Sequence, residues 1–128
     1  MIYLDTSVAL AQLLAEDRRP SAAFWREDLV ASRLLEYELW VAINGRGLAS
    51  SHGEAARALL GRIAFIELSS TVLARALDPF PTALRTLDAL HLASLEFLRG
   101  QRQAIALASY DRRMIAAAQA LKIPLATL

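Results

Sequence analysis

The sequence predicts an α/β fold, in which a central, mainly parallel sheet lies between helices in a three-layer α/β/α domain. Short apolar runs alternate with helical patterns along the whole chain, as is typical of strands joined by crossover helices. These runs are apolar at nearly every position rather than at every second one, which indicates strands covered on both faces. The 128 residues suffice for one domain, 1–128, with a sizeable core.

The predicted elements follow from apolar runs, helical periodicity and helix breakers, taken in chain order. The predicted strands are 1–4, 29–32, 64–68, 104–109 and 124–128. The predicted helices are 7–14, a short one near 21–27, 33–44, 52–63, 70–77, 83–98 and 112–121. Ser51 and Glu54 have the spacing of a capping box, so we expect the helix 52–63 to begin there. The prolines of Asp78-Pro79-Phe80-Pro81 predict the break before the helix 83–98.

The composition excludes several classes of protein. No apolar stretch approaches the roughly 20 residues that a membrane-spanning helix needs. Asp5 interrupts the opening apolar run, so we expect no secretion signal and a cytoplasmic protein. The chain has no cysteine, which excludes disulfides, thiolate nucleophiles and cysteine-ligated zinc. The formal net charge of +1 gives no strong field that would by itself indicate a nucleic-acid partner.

Two aspartates follow predicted strands. Ligands of open parallel sheets bind outside the carboxyl ends of the strands, which is where Asp5 is expected. Asp5 is not needed as a helix cap, because Thr6 and Ser7 are also able to fill that role. Asp111 follows the strand 104–109 in the same way, although it is also a good N-cap for the last helix. The two positions together favour a functional site at the sheet edge.

Two further acids lie inside apolar helical patterns. Glu38 shares a helical stripe with Leu34 and Val41, and an unpaired buried glutamate is costly. We therefore expect either a function or an ion pair with a distant arginine. Asp88 lies too deep in an apolar pattern to be a solvated charge. His91, one turn later, is within hydrogen-bonding reach of Asp88, although a packed histidine is favoured over a metal ligand or a base.

Carboxylates that meet at one sheet edge repel one another and cannot all stay ionised unaided. A hard divalent cation such as Mg²⁺ or Mn²⁺ resolves this, because it binds carboxylate oxygens, waters and phosphate. Such a cation lowers the pKa of a bound water and neutralises charge on a phosphate. The four acids therefore predict metal-assisted hydrolysis of phosphodiesters. No serine–histidine or cysteine arrangement in the sequence competes for this chemistry.

Four stretches in this order resemble the PIN-domain ribonucleases, most closely the VapC toxins of bacterial toxin–antitoxin pairs. The stretches are LDTSV, SRLLEYELWVA, LRTLDALHLASL and LASYDRRM, and the last two are the more specific. The resemblance covers essentially the whole chain and agrees with the predicted fold. By position, it implies an acidic site for Mg²⁺ or Mn²⁺ formed by Asp5, Glu38, Asp88 and Asp111.

The resemblance also implies neighbours of the site and partners. Thr6 and Ser109 match small hydroxyl positions beside the acids. Glu36 is a rival for the position of Glu38, but its spacing to Arg33 is that of a surface ion pair. Some relatives carry another acid just after the last aspartate, where this chain has Arg112-Arg113, so the number of bound ions stays open. The implied partners are an RNA substrate, a cognate antitoxin and a second copy in a homodimer, with no membrane.

Two other enzyme or signalling classes fit less well. A haloacid-dehalogenase-type phosphatase needs a second aspartate two residues after the first, where this chain has Ser7, and a lysine in the site. The only lysine, Lys122, precedes the last predicted strand. A phosphoacceptor signalling domain needs an acidic pair near the end of the first strand, and Asp5 has no such partner. A PIN-like binding module without catalysis remains the alternative to a nuclease.

The sequence also predicts an exposed apolar patch. The helix 33–44 is apolar on nearly every face, and Phe24-Trp25 lie beside a charged turn. A domain of this size has limited interior, so part of this surface is expected to contact another chain.

Overall fold

The computed structural model describes residues 1–101 and 103–128, in which four strands and six α-helices alternate. The strands are β1 (Ile2–Leu4), β2 (Leu29–Ser32), β3 (Ile63–Ile66) and β4 (Ala106–Ala108). The helices are α1 (Thr6–Leu13), α2 (Arg33–Gly45), α3 (Ala49–Leu60), α4 (Ser70–Leu77), α5 (Thr86–Gly100) and α6 (Arg112–Ala120), with a 3₁₀ turn at Phe24–Arg26.

The strands form one parallel sheet in the order β3-β2-β1-β4. Ile2 of β1 is in register with Leu29 of β2 on one side and with Ala106 of β4 on the other. The chain moves outward from β1 to β3 and then returns to the opposite side of β1. The order of connection therefore reverses between β1 and β4, and such a reversal leaves a crevice at the carboxyl ends of the strands.

Apolar side chains cover both faces of the sheet, which confirms the predicted α/β fold. Leu4 and Ala31 pack in a cluster with residues of α1, α2 and α3. Tyr3, Val30 and Leu107 alternate with them along the strands and pack with residues of α5 and α6. Burial on both faces explains why the strands read as continuous apolar runs.

The predicted fifth strand, 124–128, is wrong. Only Leu125 pairs with the sheet, through an isolated parallel bridge to Leu107. Leu107 donates its N–H to the carbonyl of Pro124 and accepts one from Ala126. Proline has no N–H to extend this ladder, and Leu125 is 40% exposed, so the segment lacks the burial that the other strands have.

The predicted capping box is also wrong. Helix α3 begins at Ala49 rather than at 52, and Leu48 is its N-cap. Gly47 adopts a left-handed conformation with φ of 67°, which lets the Leu48 N–H bond the carbonyl of Ile43 at the end of α2. The end of α2 therefore sets the start of α3, and the Ser51 hydroxyl lies one turn inside it.

The exposed apolar surface lies partly where it was predicted. Phe24 and Trp25 do not contribute, since both are buried in the core and the Trp25 indole N–H donates to the side chain of Gln12. Helix α2 does contribute, because Tyr37 and Val41 are 59% and 54% exposed. None of the helices in the described ranges is long and apolar enough to cross a membrane.

Candidate active site

The end of β1 and the loop after β4 are joined by hydrogen bonds around Asp5. The Asp5 N–H donates to the carbonyl of Ala108 at 3.0 Å, and its side chain is buried. The hydroxyls of Ser7 and Ser109 donate to its Oδ2 at 2.6 and 2.9 Å. Oδ1 of Asp5 accepts no hydrogen bond from a described residue. The structure thus places Asp5 in the crevice between β1 and β4, with one oxygen anchored.

Asp111 caps α6, as its sequence position predicted. Its Oδ1 accepts the backbone N–H groups of Arg113 at 2.8 Å and of Met114 at 3.4 Å. Its own N–H donates to the Ser109 hydroxyl at 3.0 Å. Ser109 therefore contacts both aspartates. Within the described part of the chain, Oδ2 of Asp111 accepts no hydrogen bond.

Glu38 contacts the residue that follows Asp5. Its Oε1 accepts the Thr6 hydroxyl at 2.9 Å and lies 2.5 Å from Nε2 of His91. Oε2 accepts no hydrogen bond from the described residues, and the predicted ion pair with a distant arginine is not formed by them. Thr6 and His91 thus replace the arginine that the sequence suggested as a partner.

The predicted buried stripe around Glu38 is wrong. Helix α2 buries Leu35, Leu39 and Ile43, whereas the side chain of Glu38 is 22% exposed. Glu38 instead borders a shallow hollow of about 280 Å³, lined by Leu34, Tyr37, Val41, Ala42 and Leu87. The carboxylate is therefore reachable from solvent.

The rival acid, Glu36, lies at the surface. Its carboxylate is 3.5 Å from Arg33, which also binds Glu67 at 2.9 Å. The side chain of Glu36 is 42% exposed, so this pair is the surface ion pair that the spacing predicted. The structure thus brings Glu38, and not Glu36, against Thr6.

Asp88, in the first turn of α5, has a buried oxygen without a partner. Its Oδ2 is inaccessible to solvent and accepts no hydrogen bond from the described residues. The pKa of Asp88 is raised to about 6, mainly by burial and then by the negative charges of Asp111, Asp5 and Glu38, while His91 lowers it. The predicted hydrogen bond from His91 to Asp88 is wrong, because His91 binds Glu38 instead.

The sequence reasoning missed two polar neighbours of the acids. The sequence indicates Ser7 as a possible helix cap, and as the residue that stands where a phosphatase needs an aspartate. In the structure its hydroxyl donates to Asp5 and accepts the N–H of Tyr110 at 3.0 Å. Tyr3 belongs to a predicted apolar strand, yet in the structure its hydroxyl contacts His91. A phenol inside an otherwise aliphatic strand is the signal that indicates Tyr3, since a buried hydroxyl needs a partner.

The donor set fits a hard divalent cation. Each of the four acids keeps at least one oxygen that accepts no hydrogen bond from the described residues, and the buried Asp88 Oδ2 is among them. Carboxylate oxygens are the ligands that Mg²⁺ and Mn²⁺ prefer. No three Asp, Glu or His side chains in ranges 1–101 and 103–128 are grouped closely enough to enclose an ion. Binding would thus require the like-charged groups to move closer around the cation.

Comparison with known proteins gives one family and two relatives of matching length. The PIN domain family profile matches residues 2–120. Ribonuclease VapC35 of Mycobacterium tuberculosis is 32% identical over 128 aligned residues, covering 96% of this chain and 93% of that protein. Ribonuclease VapC47 of the same organism is 31% identical over 122 residues, covering 90% and 88%. The resemblance found in the sequence motifs is confirmed.

Two solved structures have the same fold. A toxin–antitoxin complex from Klebsiella pneumoniae gives a TM-score of 0.67 at 18% identity, covering 91% of both chains. VapC20 of Mycobacterium tuberculosis, described as a toxin that cleaves the sarcin–ricin loop, gives 0.66 at 19% identity, covering 91% and 95%. At these identities the match supports the fold alone.

The environment of Asp88 makes the stability of the metal-free protein depend on pH. The folded pKa of about 6 lies above the ordinary value of 3.8, so the folded state binds the proton more tightly. The resulting stabilisation is fully present below about pH 4 and is lost as the pH rises through about 6. In EDTA at about pH 8, the free energy of unfolding of Asp88→Asn should therefore exceed that of the wild type by about 1 kcal/mol, a value that allows for solvent screening. Denaturant titration measures this difference.

This advantage should shrink toward about pH 4, where the wild-type carboxyl is itself neutral. Asp78→Asn is the matched control, because Asp78 is exposed at the end of α4 and should show no such trend. An Asp88→Asn variant that is less stable than the wild type at about pH 8 would contradict the claim that burial and charge repulsion destabilise the ionised Asp88.

Proposed function

Because the chain belongs to the PIN-domain family, we propose that it is a VapC-type endoribonuclease that hydrolyses RNA phosphodiester bonds with Mg²⁺ or Mn²⁺. The proposed metal-binding and catalytic residues are Asp5, Glu38, Asp88 and Asp111. The observation that carries the proposal is that each of these four carboxylates keeps an oxygen that accepts no hydrogen bond from the described residues, and that the charges of the other three raise the pKa of Asp88. Relatives of nearly the same length that are named ribonucleases support the reaction class.

The chain's own residues prepare these acids for binding. Ser7 and Ser109 fix one oxygen of Asp5, Thr6 fixes one oxygen of Glu38, and the first N–H groups of α6 fix one oxygen of Asp111. Such partners orient a ligand and lower the cost of ordering it. A divalent cation held by the free oxygens would neutralise charge on the scissile phosphate and acidify a water molecule.

An arginine beside the acids is suited to the RNA backbone. The guanidinium of Arg18 lies 4.5 Å from the ring centroid of Tyr110, which stands between Ser109 and Asp111 in the chain. Arginine binds phosphate through its planar fork, and aromatic rings stack on unpaired bases. We therefore place the RNA path over Arg18 and Tyr110 toward the four acids.

The first prediction from the proposed function concerns the metal. Purified protein should cleave single-stranded RNA with Mg²⁺ or Mn²⁺. Cleavage should stop when excess EDTA is added, because carboxylates alone supply no Lewis acid to neutralise charge on the phosphate. Asp5→Asn should lower the cleavage rate of a labelled RNA by at least about 100-fold. Circular dichroism should show that this variant keeps the wild-type fold.

Undiminished cleavage in EDTA would sink the proposed chemistry. Absence of cleavage by a folded wild type that still binds RNA would favour the catalytically inactive PIN-like binding module instead.

The second prediction separates the two glutamates. Glu38→Gln should reduce cleavage by about 10- to 100-fold, because it removes a carboxylate from the proposed ligand set. Glu36→Gln is the matched control on the same helix and should leave the rate within about twofold, since Glu36 only pairs with Arg33 at the surface. Both rates are measured under one saturating Mn²⁺ concentration, and the reverse order would show that Glu36 is the site acid.

The proposed partners fit two exposed apolar surfaces. We assign the hollow beside Glu38, which includes Tyr37, Val41 and Leu87, to a cognate antitoxin of the VapB type. A second hollow of about 590 Å³ lies between α4 and α5, where Leu73 and Leu77 are exposed. We assign it to a second copy of this chain in a homodimer, since exposed apolar patches of this kind mark contact sites.

The third prediction concerns inhibition by the antitoxin. The metal-free site is rich in negative charge, and a guanidinium fork binds carboxylates in a bidentate manner. The antitoxin segment that reaches Glu38 should therefore carry an arginine or lysine whose replacement by alanine restores RNA cleavage in the complex. If every single replacement of a basic residue leaves inhibition intact, the antitoxin acts by covering the groove, and the charge argument fails.

A further inference from the structure

We propose that His91 is a positioning residue that holds Glu38 for the cation, and that Tyr3 in turn holds His91. The inference rests on the proposed function, because it concerns how one acid of that site is oriented. Neither residue touches the proposed substrate path. Each acts through the next hydrogen bond in a buried chain that runs from β1 to α5 and then to α2.

The contact between His91 and Glu38 fixes one ring hydrogen. His91 is 1% exposed, and its Nε2 lies 2.5 Å from Oε1 of Glu38. A carboxylate oxygen only accepts hydrogen bonds, so Nε2 carries the hydrogen and donates it. Thr6 donates to the same oxygen at 2.9 Å. Both donors therefore hold Oε1, which leaves Oε2 as the oxygen available to a cation.

The contact between Tyr3 and His91 fixes the other ring nitrogen. Tyr3 is fully buried, and its hydroxyl accepts the backbone N–H of Ser32 at 3.1 Å. Its own hydrogen is then free to bond Nδ1 of His91, which lies 3.0 Å away. Burial raises the pKa of the Tyr3 phenol, so the phenol keeps this hydrogen. Both ring nitrogens of His91 are thus engaged, Nδ1 by Tyr3 and Nε2 by Glu38, so the orientation of the ring is set from both sides.

The chain of hydrogen bonds begins and ends on the same segment. Ser32 is the N-cap of α2, and Glu38 lies on that helix less than two turns later. The path from Ser32 through Tyr3 and His91 to Glu38 therefore forms a closed loop across the sheet and two helices. A loop of this kind ties the carboxylate to the frame of the fold, which is the function of partners that orient metal ligands.

Two amide substitutions separate positioning from packing. Asparagine at position 91 places its amide near Nδ1, so it keeps a partner for Tyr3 but does not reach Glu38. Glutamine reaches the position of Nε2 and supplies a donor to Glu38. His91→Asn should raise the Mn²⁺ dissociation constant about 10- to 100-fold, as is typical for lost orienting partners. His91→Gln should recover most of this loss.

The measurement is a Mn²⁺ titration of metal-free protein, with the free ion followed by electron paramagnetic resonance and thermal unfolding recorded in EDTA. His52→Asn is the matched control, because His52 lies on α3 and its ring hydrogen-bonds, within ranges 1–101 and 103–128, to its neighbour Ser51 alone. In a Glu38→Gln background, His91→Asn should cause no further loss of affinity, since a residue that acts through Glu38 has no effect without it. If His91→Asn does not fold, the volume-conserving Tyr3→Phe must weaken Mn²⁺ binding by at least about threefold.

Four outcomes overturn the positioning of Glu38, the proposed function or both. Equal loss of thermal stability in His91→Asn and His91→Gln with unchanged Mn²⁺ affinity would make His91 a packing residue only. Additive losses in the Glu38→Gln background would show that His91 acts elsewhere. Wild-type protein that binds Mn²⁺ but cleaves no RNA overturns the proposed function and not the positioning of Glu38. Wild-type protein that binds no Mn²⁺ overturns both.

Discussion

Repulsion among carboxylates at the edge of a parallel sheet is the constraint on which the rest of the site depends. Asp5 is buried and Asp88 has a buried oxygen without a partner, and the neighbouring acids add to the burial that raises the pKa of Asp88. Most of the polar contacts around these acids are hydrogen bonds to a carboxylate, which stabilise its negative charge. Hydroxyls, helix N–H groups and one imidazole contact a single oxygen of Asp5, Glu38 or Asp111, and the other oxygen of each accepts no hydrogen bond from the described residues.

The topology of the sheet brings these charges together. In a parallel sheet the carboxyl ends of all strands lie at one edge, so residues that follow β1, β2 and β4 meet although they are distant in sequence. The same residues begin the next helices, and Asp111 caps α6 while it lies at the site. The two apolar cores on either face of the sheet supply the burial that stabilises the fold.

The sequence predicted the parts of the site that depend on the order of strands. Asp5 and Asp111 follow strands, and parallel pairing brings them together whatever the details of packing. It did not predict the partner of His91, because helical periodicity indicates neighbours one turn away, such as Asp88, and not a residue such as Glu38 on another helix. Nor did it place Glu38 correctly, since a helix that is apolar all round does not reveal which face is buried.

The central claim is that the four carboxylates bind one or more divalent cations at this edge of the sheet. The most direct measurement is an anomalous difference map from crystals of the protein grown with Mn²⁺ and without antitoxin. We expect a peak within ligand distance of Asp5 and Asp88 oxygens, about 2.0–2.3 Å, with Glu38 still bonded to His91 through Oε1. A map with Mn²⁺ bound elsewhere in the crystal and no peak at this edge would contradict it.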